Sequence, residues 1–266
     1  MWKPAIGLLA ALTIWLTPQT AWPAGPERNY FQVVFDVTQT KAGGFKTGFG
    51  YAVYVHYDGK RVLFDTGADA ETLQHNLKQA GIDLAKLDAV VISHNHFDHA
   101  GGLSAIRKLR PDLPVLAPPD QDLDRGDVVR IQDQVALGPN LYVLRTHTKV
   151  PTVGISDELS LLIKTAKGPY LITACSHTGV ATIVDKAMKV AGADIFFYTG
   201  GSRLKFRDGA DSRSVAKDLK LRRVAHFSPG HCSIDHNVAR AMKDELADGY
   251  SASRLGEKVP LEAPGS

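Results

Sequence analysis

The sequence predicts an α+β fold in which two mixed β-sheets pack face to face and helices cover their outer sides. Short strand patterns with hairpin-like turns occur in each half of the chain, and helical patterns lie between them. Sheets and helices that are apolar on one face must bury that face against another layer. The chain of 266 residues shows no short-period repeat and no linker, so we expect one domain.

The first half of the chain predicts strands that alternate with helices. The predicted strands span residues 31–37, 50–57, 61–64 and 87–92, and the predicted helices span residues 71–80 and 103–109. Leu73, Leu77 and Ala80 recur at helical spacing, and Gly81 follows where a helix commonly ends. The predicted strand of residues 87–92 is short and largely apolar, which is typical of a buried strand.

The second half repeats this alternation with different residues. Strands are predicted for residues 141–145, 159–164, 170–175, 194–198 and 224–227, and helices for residues 180–190, 212–219 and 237–246. We therefore expect the domain to span residues 25–250. Residues 251–266 are expected to form a loose C-terminal tail.

The N-terminal segment has the pattern of a secretory signal peptide. A basic start at Lys3 is followed by an apolar run of residues 5–16 and then by small and polar residues. The apolar run is shorter than the roughly 20 residues of a membrane-spanning helix, so an uncleaved anchor is the weaker alternative. We expect residues 1–24 to be removed, with no stable membrane insertion afterwards and a periplasmic or secreted location.

The composition of the chain indicates which classes of molecule it binds. The chain is 44% hydrophobic and 22% charged, as in an ordinary globular protein, and its net charge is +3. No run of Lys or Arg marks a nucleic-acid footprint, so we expect a small-molecule substrate and no nucleic acid. The oligomeric state is left open.

The stretch VVISHNHFDHAGGL, residues 90–103, carries the densest chemistry. Imidazole and carboxylate are ligands that zinc prefers, and His94, His96, Asp98 and His99 offer four such donors. Because side chains alternate along an extended segment, His94 and His96 point to the same side. Asp98 and His99 follow in a turn and can face a second metal. The sequence therefore predicts a metal site after a buried strand.

Two further segments supply donors. LITACSHTG ends a strand with Cys175 and His177, which lie two residues apart and point to the same face. HFSPGHCS presents His231 after a turn at Pro229. Because both histidines lie at strand ends beside glycine-containing turns, as the first cluster does, we expect both to bind metal.

The motifs FDTG, SHNHFDHAGG, ACSHTG, TGG and PGHC occur in this order along the chain. Together they resemble the metallo-β-lactamase fold, and within it the subgroup similar to the dihydropterin ribofuranosylaminobenzene-phosphate synthase. The resemblance covers nearly the whole chain after the signal peptide. It implies a four-layer αββα sandwich with a pair of metal ions at the sheet edges.

The resemblance also implies a ligand set. It assigns one ion to His94, His96 and His177, and the other ion to Asp98, His99 and His231. Asp65 would hold the distal N–H of a ligand histidine and fix its tautomer. The expected cofactors are two divalent ions, zinc in the first place, with manganese or iron as alternatives.

These residues predict an enzyme, a metal-dependent hydrolase of a small ester, phosphoester, lactone or amide. A metal pair lowers the pKa of bound water, and Asp98 would orient that water and accept its proton as the catalytic residue. Arg203 and Lys205 are expected to bind a phosphate or carboxylate of the substrate. Arg203 stands where the subgroup has a histidine, which predicts a different substrate. The alternatives are a transferase or synthase of this fold and a non-catalytic metal or ligand binder.

The sequence leaves two questions open: which histidine is the third ligand of the first ion, and whether the two cysteines are bonded. His147, in LRTHTKVP, competes with His177 as the third ligand of the first ion, and we favour His177 because its strand is the firmer one. Cys175 and Cys232 could form a disulfide in an oxidising compartment. Because each adjoins a predicted ligand, we expect thiols that are free or close to metal, and Cys175 is a further possible ligand.

Overall fold

The structure is a computed structural model that describes residues 29–38, 43–123, 127–202, 209–233, 236–251 and 254–265. The strands are β1 (Tyr30–Phe35), β2 (Ala52–Tyr57), β3 (Lys60–Phe64), β4 (Ala89–Val91), β5 (Val115–Ala117), β6 (Val128–Arg130), β7 (Gln134–Gly138), β8 (Leu141–Thr152), β9 (Ile155–Thr165), β10 (Gly168–Ile172), β11 (Phe197–Gly200), β12 (His226–Pro229) and β13 (Lys258–Pro260). The α-helices are α1 (Ala70–Gln79), α2 (Phe97–Ala100), α3 (Leu103–Leu109), α4 (Val180–Ala191), α5 (Gly209–Leu221) and α6 (His236–Leu246).

The strands form two mixed sheets. The seven-stranded sheet has the order β13-β1-β2-β3-β4-β5-β6, and the six-stranded sheet has the order β12-β11-β10-β9-β8-β7. Strands β1 to β3 and β7 to β10 pair with antiparallel neighbours, whereas β3 to β6 and β10 to β12 run parallel. Each sheet therefore joins a meander to a parallel part, which matches the mixed sheets that the sequence predicts.

Three apolar clusters define four layers. One lies between the sheets, where Val53 and Val55 of β2 share a core with Leu161 and Ile163 of β9. A second packs α1 and α3 on the outer face of the first sheet, and a third packs α4, α5 and α6 on the second sheet. The predicted αββα sandwich is thereby confirmed.

The C-terminal tail differs from the expectation. Residues 251–266 were expected to be loose, but β13 pairs antiparallel with β1, with Phe31 opposite Val259. Without β13, the outer side of β1 would expose unpaired backbone N–H and C=O groups. The strands β5, β6, β7 and β13 were not predicted; β5, β6 and β13 have three residues each, which is too few to show a period.

The sheet topology positions the site. In the first sheet, β3 ends just before Asp65 and the parallel β4 ends just before His94; in the second, β10 and β12 end before Cys175 and His231. Because the carboxyl ends of parallel strands meet at one edge of a sheet, these loops converge. Within the described residues no helix is long and apolar enough to cross a membrane. The predicted signal peptide, residues 1–24, lies outside the described residues.

Candidate metal centre

The loop after β4 is locked by backbone contacts. The carbonyl oxygens of Asp98 and His99 accept hydrogen bonds from the backbone N–H groups of Tyr51 (3.1 Å) and Thr66 (2.7 Å). A Cβ atom at Gly101 would lie 2.2 Å from the carbonyl oxygen of Ala68, so only glycine fits there. The segment thus turns into the short helix α2 and keeps its donors on the inner side.

His94, His96 and His177 form the first group of potential ligands, called here the histidine cluster. One ligand atom from each ring lies within 4.8 Å of the others. Nε2 of His94 is 3.1 Å from Nδ1 of His96, and the His177 ring centroid is 4.5 Å from that of His94. The structure therefore brings His177 to the pair, as the sequence favoured.

Outward hydrogen bonds set the tautomers of two of these rings. Nε2 of His96 donates to the Val153 carbonyl (3.1 Å), and Nδ1 of His177 donates to the Thr152 carbonyl (3.2 Å). A carbonyl oxygen can only accept, so these nitrogens carry the proton. The second nitrogen of each neutral ring has a lone pair, which is what a divalent ion requires.

The electrostatics of the histidine cluster also fit a cation. Burial and the neighbouring histidines lower the pKa of His94 well below its ordinary value. The ring is therefore neutral at physiological pH and offers a lone pair. Three imidazoles converging with one nitrogen each make a ligand set that zinc accepts.

Asp98, His99, Cys175, His231 and Cys232 form the second group, called the mixed cluster. Their ligand atoms all lie within 4.8 Å of one another. Nε2 of His231 is 3.0 Å from Oδ2 of Asp98, and Nε2 of His99 is 3.5 Å from the same oxygen. The two clusters adjoin, because the ring centroids of His94 and His99 are 4.2 Å apart.

Asp98 is held as a carboxylate. Burial disfavours its ionisation, but the hydrogen bond from His231 and the charges of His99 and His231 outweigh burial and lower its pKa to about 2. An anionic oxygen beside two imidazoles is a suitable ligand for a hard or borderline divalent ion. The donor set of the mixed cluster therefore also fits a metal ion.

Cys175 and Cys232 are joined by a disulfide, with a Cα–Cα distance of 5.9 Å, and no free cysteine remains. The expectation of free thiols is wrong for this structure, although the position near the ligands agrees with it. Sγ of Cys175 is 3.2 Å from Nε2 of His99, and Sγ of Cys232 is 3.1 Å from Nε2 of His231. Spacing within the sequence could not reveal the bond, because the two cysteines are 57 residues apart.

Asp65 supports one ligand in each cluster. Its Oδ2 accepts hydrogen bonds from Nδ1 of His99 (2.7 Å) and from the Ser93 hydroxyl (2.8 Å), and Ser93 Oγ in turn lies 2.9 Å from Nδ1 of His94. Because the Ser93 hydroxyl donates to Asp65, its Oγ accepts a hydrogen bond from the N–H group at Nδ1 of His94. Asp65 has a left-handed backbone (φ 59°), a conformation that aspartate tolerates better than most residues.

Burial and mutual contact shift the pKa values of Asp65 and His99. Burial raises the pKa of Asp65, and the charge of Asp65 with its hydrogen bond raises the pKa of His99 although burial alone would lower it. The pair therefore holds a proton between Nδ1 and Oδ2. This leaves Nε2 of His99 facing the mixed cluster, which is the orientation that the sequence-based role of Asp65 requires.

Glu158 is a buried carboxyl that sequence reasoning missed. Its Oε1 accepts hydrogen bonds from the backbone N–H groups of Cys175 (3.1 Å) and Ser176 (2.9 Å), and lies 3.9 Å from Nδ1 of His94. Burial raises its pKa to about 7. The signal in the sequence was the acidic pair Asp157-Glu158 directly before the largely apolar run of residues 159–163 in strand β9.

The structure places His147 away from both clusters. The His147 side chain is 49% exposed, and its Nδ1 is 3.1 Å from Oδ1 of Asp157, outside both clusters. Arg203 and Lys205 lie outside the described residues. The structure thus separates His147 from the ligands that it could have joined.

Exposed apolar side chains flank the clusters. Phe49 contacts the ring of His231 edge-on at 5.7 Å and stacks at 5.9 Å on Phe97, whose side chain is 66% exposed. On the other side, Val153 is 69% exposed and has a positive φ of 48°, unusual for a β-branched residue. The two-residue turn of Val153 and Gly154 thereby brings the Val153 carbonyl to His96. Exposed apolar side chains therefore lie beside both clusters.

Comparisons with solved structures find the same fold. A solved structure described as Tm1679, a metal-dependent hydrolase of the beta-lactamase superfamily, superposes with a TM-score of 0.73 and 25% identity, covering 88% of this chain and 99% of that one. A diphosphatase from the PhnP family, 21% identical, superposes with a TM-score of 0.57 over 89% of this chain and 99% of its own, and shares the fold.

Two sequence comparisons complete the identification. The chain is 29% identical over 262 aligned residues to the 7,8-dihydropterin-6-methyl-4-(beta-D-ribofuranosyl)-aminobenzene-5'-phosphate synthase of Methanocaldococcus jannaschii, covering 80% of this chain and 89% of the relative. The resemblance predicted from the motifs is thus confirmed. The family model of the metallo-beta-lactamase superfamily matches residues 46–231. The chain therefore belongs to the metallo-beta-lactamase superfamily.

Proposed function

We propose that the chain is a metal-dependent hydrolase of a small ester, phosphoester, lactone or amide. The observation that carries this proposal is the adjacency of the two ligand clusters, whose His94 and His99 rings lie 4.2 Å apart at one edge of the sandwich. The likeness to Tm1679, described as a metal-dependent hydrolase, supports it. We further propose one divalent ion for each cluster, with zinc as the metal.

The chain's own groups have separable parts in this reaction. Divalent ions held by the clusters would lower the pKa of water and polarise the bond to be cleaved. Asp98, ionised at neutral pH, accepts a hydrogen bond from the attacking water, orients it and takes up its proton. Asp65 and Ser93 hold His99 and His94 in the tautomers that binding requires.

The exposed apolar residues beside the clusters indicate the substrate class. Phe49, Phe97 and Val153 present exposed apolar surface there. Burying such surface against a ligand is favourable, so the substrate carries an aromatic or aliphatic group next to the bond that is cleaved. We also propose, from the sequence alone, that Arg203 and Lys205 bind a phosphate or carboxylate of that substrate.

We propose that the protein acts in the periplasm or outside the cell, on the strength of the signal-peptide pattern in residues 1–24. The mature chain would then begin at or near Gly25. Intact-mass measurement on exported protein tests this, and a retained Met1 would contradict it.

A panel of chromogenic substrates tests the hydrolase. Purified protein would be stripped with a chelator, reloaded with zinc, manganese or iron, and assayed on carboxylic esters, phosphodiesters, lactones and amides with aromatic or alkyl groups. Turnover that disappears with the chelator and returns with metal supports the proposal. Tight metal binding without turnover on any member would instead identify a non-catalytic binding protein.

A second candidate is a transferase or synthase. It is favoured by the 29% identity to the M. jannaschii synthase over 80% of the chain. Product analysis separates the two: a hydrolase releases an acid and an alcohol, amine or phosphate, whereas a synthase joins two substrates. Condensed product from paired substrates, with no hydrolysis of either alone, would favour the synthase.

A further inference from the structure

The disulfide between Cys175 and Cys232 lies among the potential metal ligands rather than at a distant packing position. Sγ of Cys175 is 3.2 Å from Nε2 of His99, and Sγ of Cys232 is 3.1 Å from Nε2 of His231. Both sulfurs belong to the mixed cluster, whose ligand atoms lie within 4.8 Å of one another. Opening this bond would therefore release its sulfurs at a candidate metal site.

The two redox states offer different ligands. A disulfide sulfur is uncharged and is a poor ligand, whereas a thiolate binds zinc and other borderline or soft ions strongly. With the bond closed, the mixed cluster offers Asp98, His99 and His231. With the bond open, it offers those three groups and two thiolates. The histidine cluster contains no cysteine and keeps its three donors in both states.

We propose that the Cys175–Cys232 bond is a redox switch for the mixed cluster. Reduction adds two thiolates to the mixed cluster and so makes a tight site for the second divalent ion, whereas oxidation leaves three donors that hold this ion weakly; the histidine cluster keeps its own ion in both states. The inference rests on the metal binding in the proposed function, but not on hydrolysis. It also assigns a role to Cys232, which neither the fold nor the proposed reaction requires.

The chemistry balances with a dithiol as the reductant. One thiolate of the dithiol attacks a sulfur of the bridge, the S–S bond breaks, and a mixed disulfide forms. The second thiolate of the dithiol then attacks the dithiol's own sulfur in the mixed disulfide and displaces the protein sulfur. The dithiol leaves as a cyclic disulfide, so two electrons pass to the protein and two cysteine thiols result. A divalent ion that binds them releases the thiol protons. A disulfide-carrying oxidant reverses the exchange.

Burial indicates which sulfur reacts first. Cys175 is 4% exposed, while Cys232 is only partly buried and follows the strand end at Pro229. A reductant therefore reaches Cys232 more readily than Cys175. The attack on Cys232 releases Cys175 as the first thiolate, 3.2 Å from Nε2 of His99.

Cobalt(II) binding to the full chain in its two redox states tests the proposal. Oxidised protein and protein reduced with a dithiol, then freed of reductant without oxygen, would be compared for thiols, bound cobalt and near-ultraviolet thiolate-to-cobalt absorption. We expect no thiols, about one ion and no such band before reduction, and two thiols, about two ions and the band afterwards. Equal cobalt content in the two states, or two thiols without the band, would overturn the proposal.

Three controls separate the alternatives. Cys232→Ser cannot form the bridge, and its cobalt content should no longer depend on the reductant; a persistent dependence would overturn the switch. His177→Ala should lose the ion of the histidine cluster but keep the redox-dependent band. Loss of far-ultraviolet circular dichroism on reduction of the unaltered protein would show a purely structural bridge. All readouts are independent of turnover, so failure of the hydrolase would leave this test intact.

Discussion

The histidine cluster and the mixed cluster are neighbours with different chemistry. The histidine cluster is three imidazoles, two of which donate to the backbone carbonyls of Thr152 and Val153 in one hairpin. The mixed cluster combines a carboxylate, two imidazoles and a disulfide from loops of both sheets. The first contains neither a carboxyl group nor a sulfur atom, whereas the second contains the ionised carboxylate of Asp98 and a reducible bond.

The two clusters differ in whether their donor set can change. Three imidazoles held by local backbone contacts offer the same donors whatever the redox state of the cysteines. Under the proposed switch, the charge and the number of donors of the mixed cluster would change with the redox state of its two sulfurs. Asp65 couples the two, because it contacts His99 directly and His94 through Ser93.

Removing a donor from the histidine cluster gives the largest expected effect. His177→Ala should lose about one equivalent of metal, and turnover should fall on the order of 1,000-fold, since a metal supplies several kcal/mol of transition-state stabilisation. His147→Ala is the matched control and should keep its metal, because His147 pairs with Asp157 outside the clusters. Metal analysis of both variants decides it, and the reverse result would move the ligand to His147.

The shared support of the clusters predicts the next effect. Asp65→Asn should weaken metal binding in both clusters by about 10- to 100-fold, because the ligand orientation set by the carboxylate is lost. Ser93→Ala should weaken only the histidine cluster, since Ser93 contacts His94 and not His99. Competition with a chelator of known affinity measures both. Equal losses in the two variants would contradict the separate routes.

Glu158 tests the loop that carries ligands of both clusters. Glu158→Ala leaves the buried N–H groups of Cys175 and Ser176 without their acceptor, so the free energy of unfolding should fall by about 2 kcal/mol. Glu158→Gln keeps an acceptor oxygen and should lose less. Urea unfolding of the metal-free proteins compares them. An alanine variant as stable as the unaltered protein would argue against this role.

The smallest expected effect lies at the exposed apolar residues beside the clusters. Phe49→Ala should raise KM for a substrate with an aromatic or alkyl group by about fivefold, or about 1 kcal/mol of lost apolar contact. The kcat and the metal content should change little, since Phe49 supplies no ligand atom. Steady-state kinetics on paired apolar and polar substrates measures the contrast. An equal change for both substrates would show that Phe49 does not select the apolar group.

Much of the fold and of the site could be predicted from local pattern. The segment 90–103 identified its donors because histidines and an aspartate crowded together directly after a buried strand are typical of a metal site. The rival residues His147 and His177 could not be separated with certainty, since both follow or lie in strands of the second sheet. The pairing of β8 with β9 puts His147 opposite Asp157, whereas His177 lies beside His94 and His96.

Sequence patterns were enough to establish the sandwich, the superfamily and the donor types, because hydrophobic period and motif spacing are local properties. Tertiary packing was needed to show how those donors divide into two clusters, which carboxyls support them and that the cysteines are bonded. The decisive contacts join residues far apart in the chain: 76 residues separate His99 from Cys175, and 133 separate Asp98 from His231. Such contacts arise only when the two sheets pack and bring their loop-bearing edges together, which no local pattern records.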